Sequence, residues 1–354
     1  MGSSKVKILK DSLSNFLLNK NHNLSYIVEN ADWIVKWDGE HITGCLNKFG
    51  LLKTRITTSY LGLRNQIVHF GSLNTFLTAE GFKKPHRSNK IVVTIFHLVP
   101  NDPRLKFLKE ADKYVDFFHT SCNITKRKLI ELGVSEEKII VIPLGVDLSL
   151  FKPISSKKKQ KIKGQLGIPQ DKIVIGSFQK DGVGWGEGLE PKLIKGPDVF
   201  VKTVEKLAKD YPIFVLLVGP SRGYVKSELK KLGIPFKHTY LKNFSDVAER
   251  YRALGLYLIT SRVEGGPKAI LEAWASGVPV VSTKVGMVPD IAQDVNNVLL
   301  TEVEDVDGIT KQAIRLIEDD NLKERLTQNA LGGVKKNSWD NIANRYYKEI
   351  YLRL

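Results

Sequence analysis

The chain has 354 residues, 42% of them apolar and 26% charged, a composition that excludes disorder and leaves room for two hydrophobic cores. Lysine and arginine outnumber aspartate and glutamate 54 to 38, a formal net charge of +16, so the protein is drawn to something anionic. No apolar run approaches the roughly 18 residues of a spanning helix, nothing resembles a signal peptide, and Cys45 and Cys122 fit a reducing compartment without making a metal pattern.

Residues up to about 30 are mixed and read as a helical or irregular opening segment. Trp33–Trp37 is the first expected strand, and Asp38 to Gly44 follow as a turn into a helix. Further strands are expected at Arg55–Ser59, Gln66–Phe70, Ile91–Phe96, Val115–His119 and Ile139–Pro143. Helical patterns fall between them at Arg104–Lys113 and Ile124–Leu132. Strands alternating with helices argue for a parallel sheet covered on both faces. A lysine run, Lys157, Lys158, Lys159, Lys161 and Lys163, then reads as a solvated linker.

The second half repeats the alternation. Strands are expected at Ile173–Phe178, Phe214–Gly219, Phe236–Leu241, Leu256–Thr260, Val280–Ser282 and Asn297–Thr301, with helices at Asp198–Lys209, Tyr224–Leu232 and Ser245–Leu254. A long loop after Phe178 carries Gly182, Gly184, Gly186 and Gly188. Glu187 stands where a dinucleotide fingerprint needs its third glycine, so that motif is excluded. Bare glycine amides at a strand end can approach a phosphate, or they can simply make a flexible loop. The remaining chain is helical, and Ser338 is placed to cap its last helix.

The chemistry concentrates in the stretch from Ser261 to Gly277. Pro267 suits a first helical position and Gly277 a helix stop, so the stretch reads as strand, glycine loop, helix, strand. Glu264 sits in the loop and Glu272 on the second turn of a helix that is otherwise apolar nearly all round. Such a helix is buried, and a carboxylate on it needs a polar partner. That partner is either a neighbouring Arg or Lys, or the hydroxyls of a ligand. Asp305-Val306-Asp307 has the look of a metal-binding carboxylate pair, but it precedes a late helix and reads as a helix cap.

Glu264, seven intervening residues and Glu272, within EGGPKAILEAWASGVPVVST, resemble the paired-glutamate motif of glycosyltransferase family 4, the group 1 glycosyl transferases. The resemblance implies an α/β protein of two Rossmann-like domains facing across a cleft, the GT-B fold. It implies an acceptor domain at 1–153, a nucleotide-sugar domain at 154–337 and a last helix at 338–354 that packs back on the first domain through Trp339, Tyr346 and Tyr347. Pro143-Leu144-Gly145-Val146-Asp147 resembles the end of the first domain, with Leu144 where asparagine is usual. The implied activity is retaining, metal-independent transfer of a sugar from a nucleoside-diphosphate sugar.

By the same resemblance, Lys195, before Gly196, contacts the donor diphosphate. Lys180 stands where the family has an arginine; the charge is kept and the bidentate fork is lost. Glu264, Gly265, Gly266, Pro267 and Lys268 face the sugar and its phosphates, and Glu272 faces the ribose. Gly182 and Gly184 lie against the phosphates, and Tyr240 and Leu241 near the base. His97, ending a strand of the first domain, lies near the transferred sugar. His41 and His69 are weaker candidates for the acceptor side. The expected partners are the donor, an unidentified acceptor and, through the basic charge, an anionic membrane face. No nucleic-acid-binding signature is present, no cofactor is expected, and the expected location is cytoplasmic. A catalytically silent sugar-nucleotide or polyanion binder, or a nucleotide-sugar epimerase, are the alternatives on the same fold.

Overall fold

The computed structural model describes residues 2–18, 22–30 and 34–354. The chain divides into two compact units, 1–145 together with 339–354, and 146–338. Each is built on one six-stranded parallel sheet. In the first unit the strands are β1 Leu24–Ile27, β2 Thr54–Thr57, β3 Ile67–Phe70, β4 Lys90–Thr94, β5 Phe117–Thr120 and β6 Ile139–Val141. Their order is β2-β1-β3-β4-β5-β6. In the second they are β7 Ile173–Ser177, β8 Ile213–Val218, β9 Phe236–Thr239, β10 Leu256–Ile259, β11 Val280–Thr283 and β12 Leu299–Thr301, in the order β9-β8-β7-β10-β11-β12. Both sheets therefore reverse strand order beside a first-formed strand, the place where open α/β sheets bind ligands at their carboxyl ends.

The longer helices are α1 Gly2–Leu18, α2 Ile34–Lys48, α3 Asn123–Glu131, α4 Ser156–Gln165, α5 Pro197–Leu207, α6 Gly223–Lys231, α7 Val247–Arg252, α8 Lys268–Ala275, α9 Val306–Glu318, α10 Asp320–Gly333 and α11 Trp339–Glu349. The strands of a parallel sheet covered on both faces read as continuous apolar runs. Strand β8, IFVLLV, is buried at every position. Its flanks are Val199, Phe200 and Val204 of α5, Val225 and Leu229 of α6, and Ile309, Ala313 and Leu316 of α9.

Four expectations are corrected. Residues 34–37 open α2 rather than a strand, and Trp33 lies outside the described residues. The buried positions Asp38, Gly39, Ile42, Thr43 and Leu46 recur at helical spacing. The lysine run is a helix, α4, not a linker. Its Lys163 is buried and donates to Gln170 O and Lys172 O at 2.8 and 3.0 Å. The unit boundary falls at 145/146 rather than 153/154. Val146 N donates to Asn337 O at 2.9 Å, Phe151 packs edge-on to Tyr251, and Arg252 holds the Leu150 carbonyl at 2.6 Å, so 146–153 stays with the second unit.

The fourth correction concerns His69 and His41. His69 is fully buried, with Nδ1 2.7 Å from Tyr351 Oη and Nε2 2.7 Å from Thr94 Oγ1. His119 faces the same threonine at 3.0 Å and Tyr346 Oη at 2.9 Å. Burial holds both imidazoles below their usual pKa, His119 at about 4. His41 stacks on Trp339 at 5.1 Å. These histidines tie the last sixteen residues into the core of the first sheet, together with Trp339, Ile342, Tyr346 and Ile350.

Candidate active site

The carboxyl ends of β7, β8 and β10 carry the candidate site. After β10 the chain runs through Thr260 and Ser261, both fully buried, into the glycine loop. Glu264 turns back toward the sheet. Its Oε1 receives Lys195 Nζ at 2.6 Å and Ser261 Oγ at 3.0 Å, and the two charged side chains keep only 11% and 19% exposure. Gln179, just past β7, donates to Lys195 O at 3.0 Å and faces Ser261 Oγ at 3.4 Å. Two residues that lie 69 apart in sequence thus form one shielded ion pair at the strand ends.

Lys195 is placed by a backbone approach that only glycine permits. Gly196 has φ +62, and a Cβ there would lie 1.9 Å from the Thr260 carbonyl oxygen. Thr260 Oγ1 donates to Gly196 O at 2.9 Å, locking the start of α5 against β10. Arg262 completes the clamp. Its guanidinium forks onto both oxygens of Asp198 at 2.8 Å, holds the Leu193 carbonyl at 2.7 Å and pairs with Glu304. The same fork holds the Asp198 carboxyl below its usual range.

The positive charge here exceeds what Glu264 offsets. Lys192, half-buried, has a lowered pKa, first through burial and then through Lys195 and Lys180, with Glu264 opposing. Lys180, Lys192 and Lys195 therefore lie near one another beyond the end of β7, where an anion would be attracted. Lys180 itself lies over the Trp185 ring, 4.2 Å from its centroid.

The glycine loop is folded rather than loose. Val183 N donates to Glu190 O at 2.9 Å and Lys192 N to Asp181 O at 2.7 Å, closing the loop on itself. Ser221 Oγ donates to the carbonyls of Gly184 and Gly186. A Cβ at Gly182 would lie 2.4 Å from Ser221 O, so that glycine is required by packing. The Glu187 and Gly188 carbonyls take the Gly223 and Tyr224 amides at the start of α6, at 2.7 and 2.8 Å. Tyr240 and Leu241 follow β9, Tyr240 with 69% exposure.

Glu272 lies on the buried face of α8 and accepts from Tyr251 Oη at 2.8 Å. Burial first, and the Glu272 charge second, push the Tyr251 hydroxyl well above its ordinary value. Pro267 caps α8 one position before the expected first turn, and Lys268 is buried. Gly265 and Gly266 lie between; the Gly265 carbonyl packs on Gly286. In the first unit, His97 is exposed, three residues past the end of β4. Asp305 is a helix cap, accepting from Gly308 N at 2.7 Å.

Sequence reasoning missed three residues of this region. Lys192 and Arg262 are two, Arg262 being bound to Asp198, 64 residues away in sequence. The third is Arg222, fully buried, whose Nε meets Asp181 Oδ1 at 3.0 Å. Its two remaining nitrogens hold Ser177 O, Val218 O and Ser177 Oγ at 2.6 to 2.9 Å. Burial pushes Arg222 down and Asp181 up, each opposed by the other's charge. The pair joins the ends of β7 and β8 beneath the glycine loop. A charged residue four positions past an all-apolar strand was the available signal.

Residues 188–332 match the family model of Glycosyl transferases group 1. The matched span contains Lys195, Glu264 and Glu272. The chain is 26% identical over 225 residues to the D-inositol 3-phosphate glycosyltransferase of Corynebacterium jeikeium, covering 59% of this chain and 51% of that protein. It is 30% identical over 153 residues to the N-acetyl-alpha-D-glucosaminyl L-malate synthase of Bacillus anthracis, covering 43% of this chain and 40% of that protein. The chain thus spans about half the length of the curated relatives it matches. Among solved structures, Anabaena HepE in complex with UDP-glucose superposes with a TM-score of 0.74 at 16% identity, covering 94% of this chain and 100% of that one. A glycosyltransferase from Rickettsia africae gives 0.65 at 17% identity, covering 99% and 96%. The two parallel sheets are those of the GT-B glycosyltransferase fold, and residues 188–332 resemble the group 1 glycosyl transferases.

Proposed function

We propose that this chain transfers a glycosyl group from a nucleoside-diphosphate sugar to an acceptor, with retention at the anomeric carbon and without a metal, as a family 4 enzyme. The observation that carries the reading is the Lys195–Glu264 pair, with Lys180 and Lys192 nearby, at the carboxyl ends of a Rossmann-like sheet. In this reading Lys195, Lys180 and Lys192 offset the charge that develops on the departing diphosphate, as fixed electrostatic stabilisation. Glu264, held by Lys195 and Ser261, meets the sugar. Glu272, shielded on α8, accepts from the ribose hydroxyls, with Gly182, Gly184, Gly265, Gly266, Pro267 and Lys268 around the phosphates and Tyr240 and Leu241 toward the base.

Relatives named for inositol 3-phosphate and for malate, and fold neighbours in complex with UDP and UDP-glucose, support a nucleotide-sugar donor and a small acceptor. A cytoplasmic place, with peripheral contact to an anionic membrane, belongs to the same proposal. The test is a panel of nucleoside-diphosphate sugars, scored by nucleoside diphosphate release with and without EDTA. Release that persists in EDTA is expected. Complete loss restored by manganese or magnesium would refute metal independence, and interconversion of the sugar without an acceptor would make the protein an epimerase. Lys195→Ala should weaken nucleoside diphosphate binding by about 1.5–3 kcal/mol, the worth of a charge-assisted hydrogen bond. Unchanged affinity removes Lys195 from the site.

A further inference from the structure

Helix α1 is amphipathic the wrong way round for a soluble domain. Its Asp11, Ser12 and Asn15 face the protein. Asp11 Oδ2 accepts from Thr58 N at 2.8 Å and Thr58 Oγ1 at 2.7 Å. Ser12 Oγ lies 2.8 Å from Ser59 Oγ, and fully buried Asn15 donates to the carbonyls of Ser59 and Leu61 at 2.8 and 2.9 Å. Arg55 of β2 donates to Asn15 Oδ1. The apolar residues face out. Val6, Leu9, Leu13, Phe16 and Leu17 are 65%, 63%, 59%, 64% and 84% exposed. At the helical step they fall within an arc of about 100° opposite the bonded side.

Random exposure does not give this pattern. Scattered surface leucines are ordinary, but a helix that spends its polar groups inward and presents a continuous apolar stripe outward has a partner for that stripe. The chemistry around the stripe indicates which. Lys7 and Lys10 are exposed beside it, and the helix's one acid, Asp11, is bound inward, so the outer side is cationic. Leu61, 51% exposed, extends the apolar surface from the loop that Asn15 grips. Exposed Arg64 and Arg87 continue the charge on two segments joined by the bond from Asn65 N to Ser88 Oγ at 3.1 Å. An apolar stripe with basic flanks on a helix lying flat against its domain fits the boundary of an anionic bilayer, the leucines and Phe16 among the acyl chains and the lysines at the phosphates.

We propose that α1, with Leu61, is a surface that binds the face of an anionic lipid bilayer. This deepens the membrane contact named above by giving it residues, and it is tested separately from catalysis. The probe is co-sedimentation of the full chain, without any nucleotide sugar, with vesicles of equimolar phosphatidylcholine and phosphatidylglycerol. Binding is expected, and it should weaken on added salt and on pure phosphatidylcholine. Leu13→Ser with Phe16→Ser should lower partitioning about a hundredfold, and Lys7→Gln with Lys10→Gln about thirtyfold. Because these side chains are exposed, both variants should keep the wild-type melting temperature and the lipid-free rate of donor hydrolysis. Wild-type protein that stays in the supernatant overturns the proposal, as do folded variants that sediment like wild type. A dimer in lipid-free solution that Leu13→Ser with Phe16→Ser converts to monomer also overturns it, because the stripe then covers a second copy. Loss of donor hydrolysis with intact vesicle binding would refute the transferase reading alone.

Discussion

Arg222→Met is the most informative single change to the second unit. Arg222 is wholly buried and holds one carboxylate and three other oxygens at the ends of β7 and β8. Methionine keeps much of the stem's volume but leaves Asp181, 1% exposed, as an uncompensated buried charge. Removing one partner of a buried pair costs about 3–5 kcal/mol. For a unit of this size that lowers the melting temperature by about 10 °C. The assay is calorimetric melting of wild type, Arg222→Met, Asp181→Leu and the double variant. The double variant removes the orphaned charge but leaves the Ser177 and Val218 acceptors bare, so it should recover part of the loss. A coupling of at least about 2 kcal/mol between the two sites is expected. A single Arg222→Met variant within about 1 kcal/mol of wild type, or strictly additive losses, would refute the claim that this pair holds the two strand ends together.

Further predictions concern the two glutamates and the buried histidines. Glu264→Gln releases Lys195 from its carboxylate, so free nucleoside diphosphate should bind as well as before or better while turnover of the full donor falls; calorimetry beside a turnover assay reads both. Glu272→Gln should weaken nucleoside diphosphate binding with no sugar attached, and the reverse pattern would exchange the two roles. For stability against pH, His69 and His119 are neutral in the folded core with pKa values held below the ordinary 6.5. The unfolded chain binds more protons, so this stability is full above about pH 6.5 and is lost as pH falls toward 4. For His119 alone the span corresponds to about 3 kcal/mol. Urea midpoints that stay flat over that window would show that the network does not hold the imidazoles neutral.

Most strands of the second half were legible because they are short apolar runs bounded by glycine, proline or a polar turn, β9, FKHT, being the exception. The first half was less so. Strand β1, LSYI, has four residues in polar surroundings, too few to announce a period. At 33–37 a short run of β-branched and aromatic residues, broken only by Lys36, imitates a strand, although 34–48 is a helix. Glu264 and Glu272 stood out because a carboxylate on an apolar frame is costly unless partnered. Their partners did not. Nothing near Glu264 names Lys195, and nothing near Tyr251 names Glu272, because the sheet, and not the local chain, brings them together. Histidine was misleading for a related reason: His69 has the chemistry of a site residue, and only its fourfold company of Thr94, His119, Tyr346 and Tyr351 makes it a core residue.

The return of 339–354 to the first sheet has a consequence for synthesis. Trp339, Ile342, Tyr346, Ile350 and Tyr351 belong to the same core as Leu24, Tyr26 and Val92. A ribosome therefore delivers the opening strands long before the side chains that bury them, and the continuous second unit, 146–338, is complete before the first can close. On the nascent chain the second unit should become protease-resistant first, although most of the first was made earlier. A nonsense codon after Ser338 would leave the first sheet without part of its core.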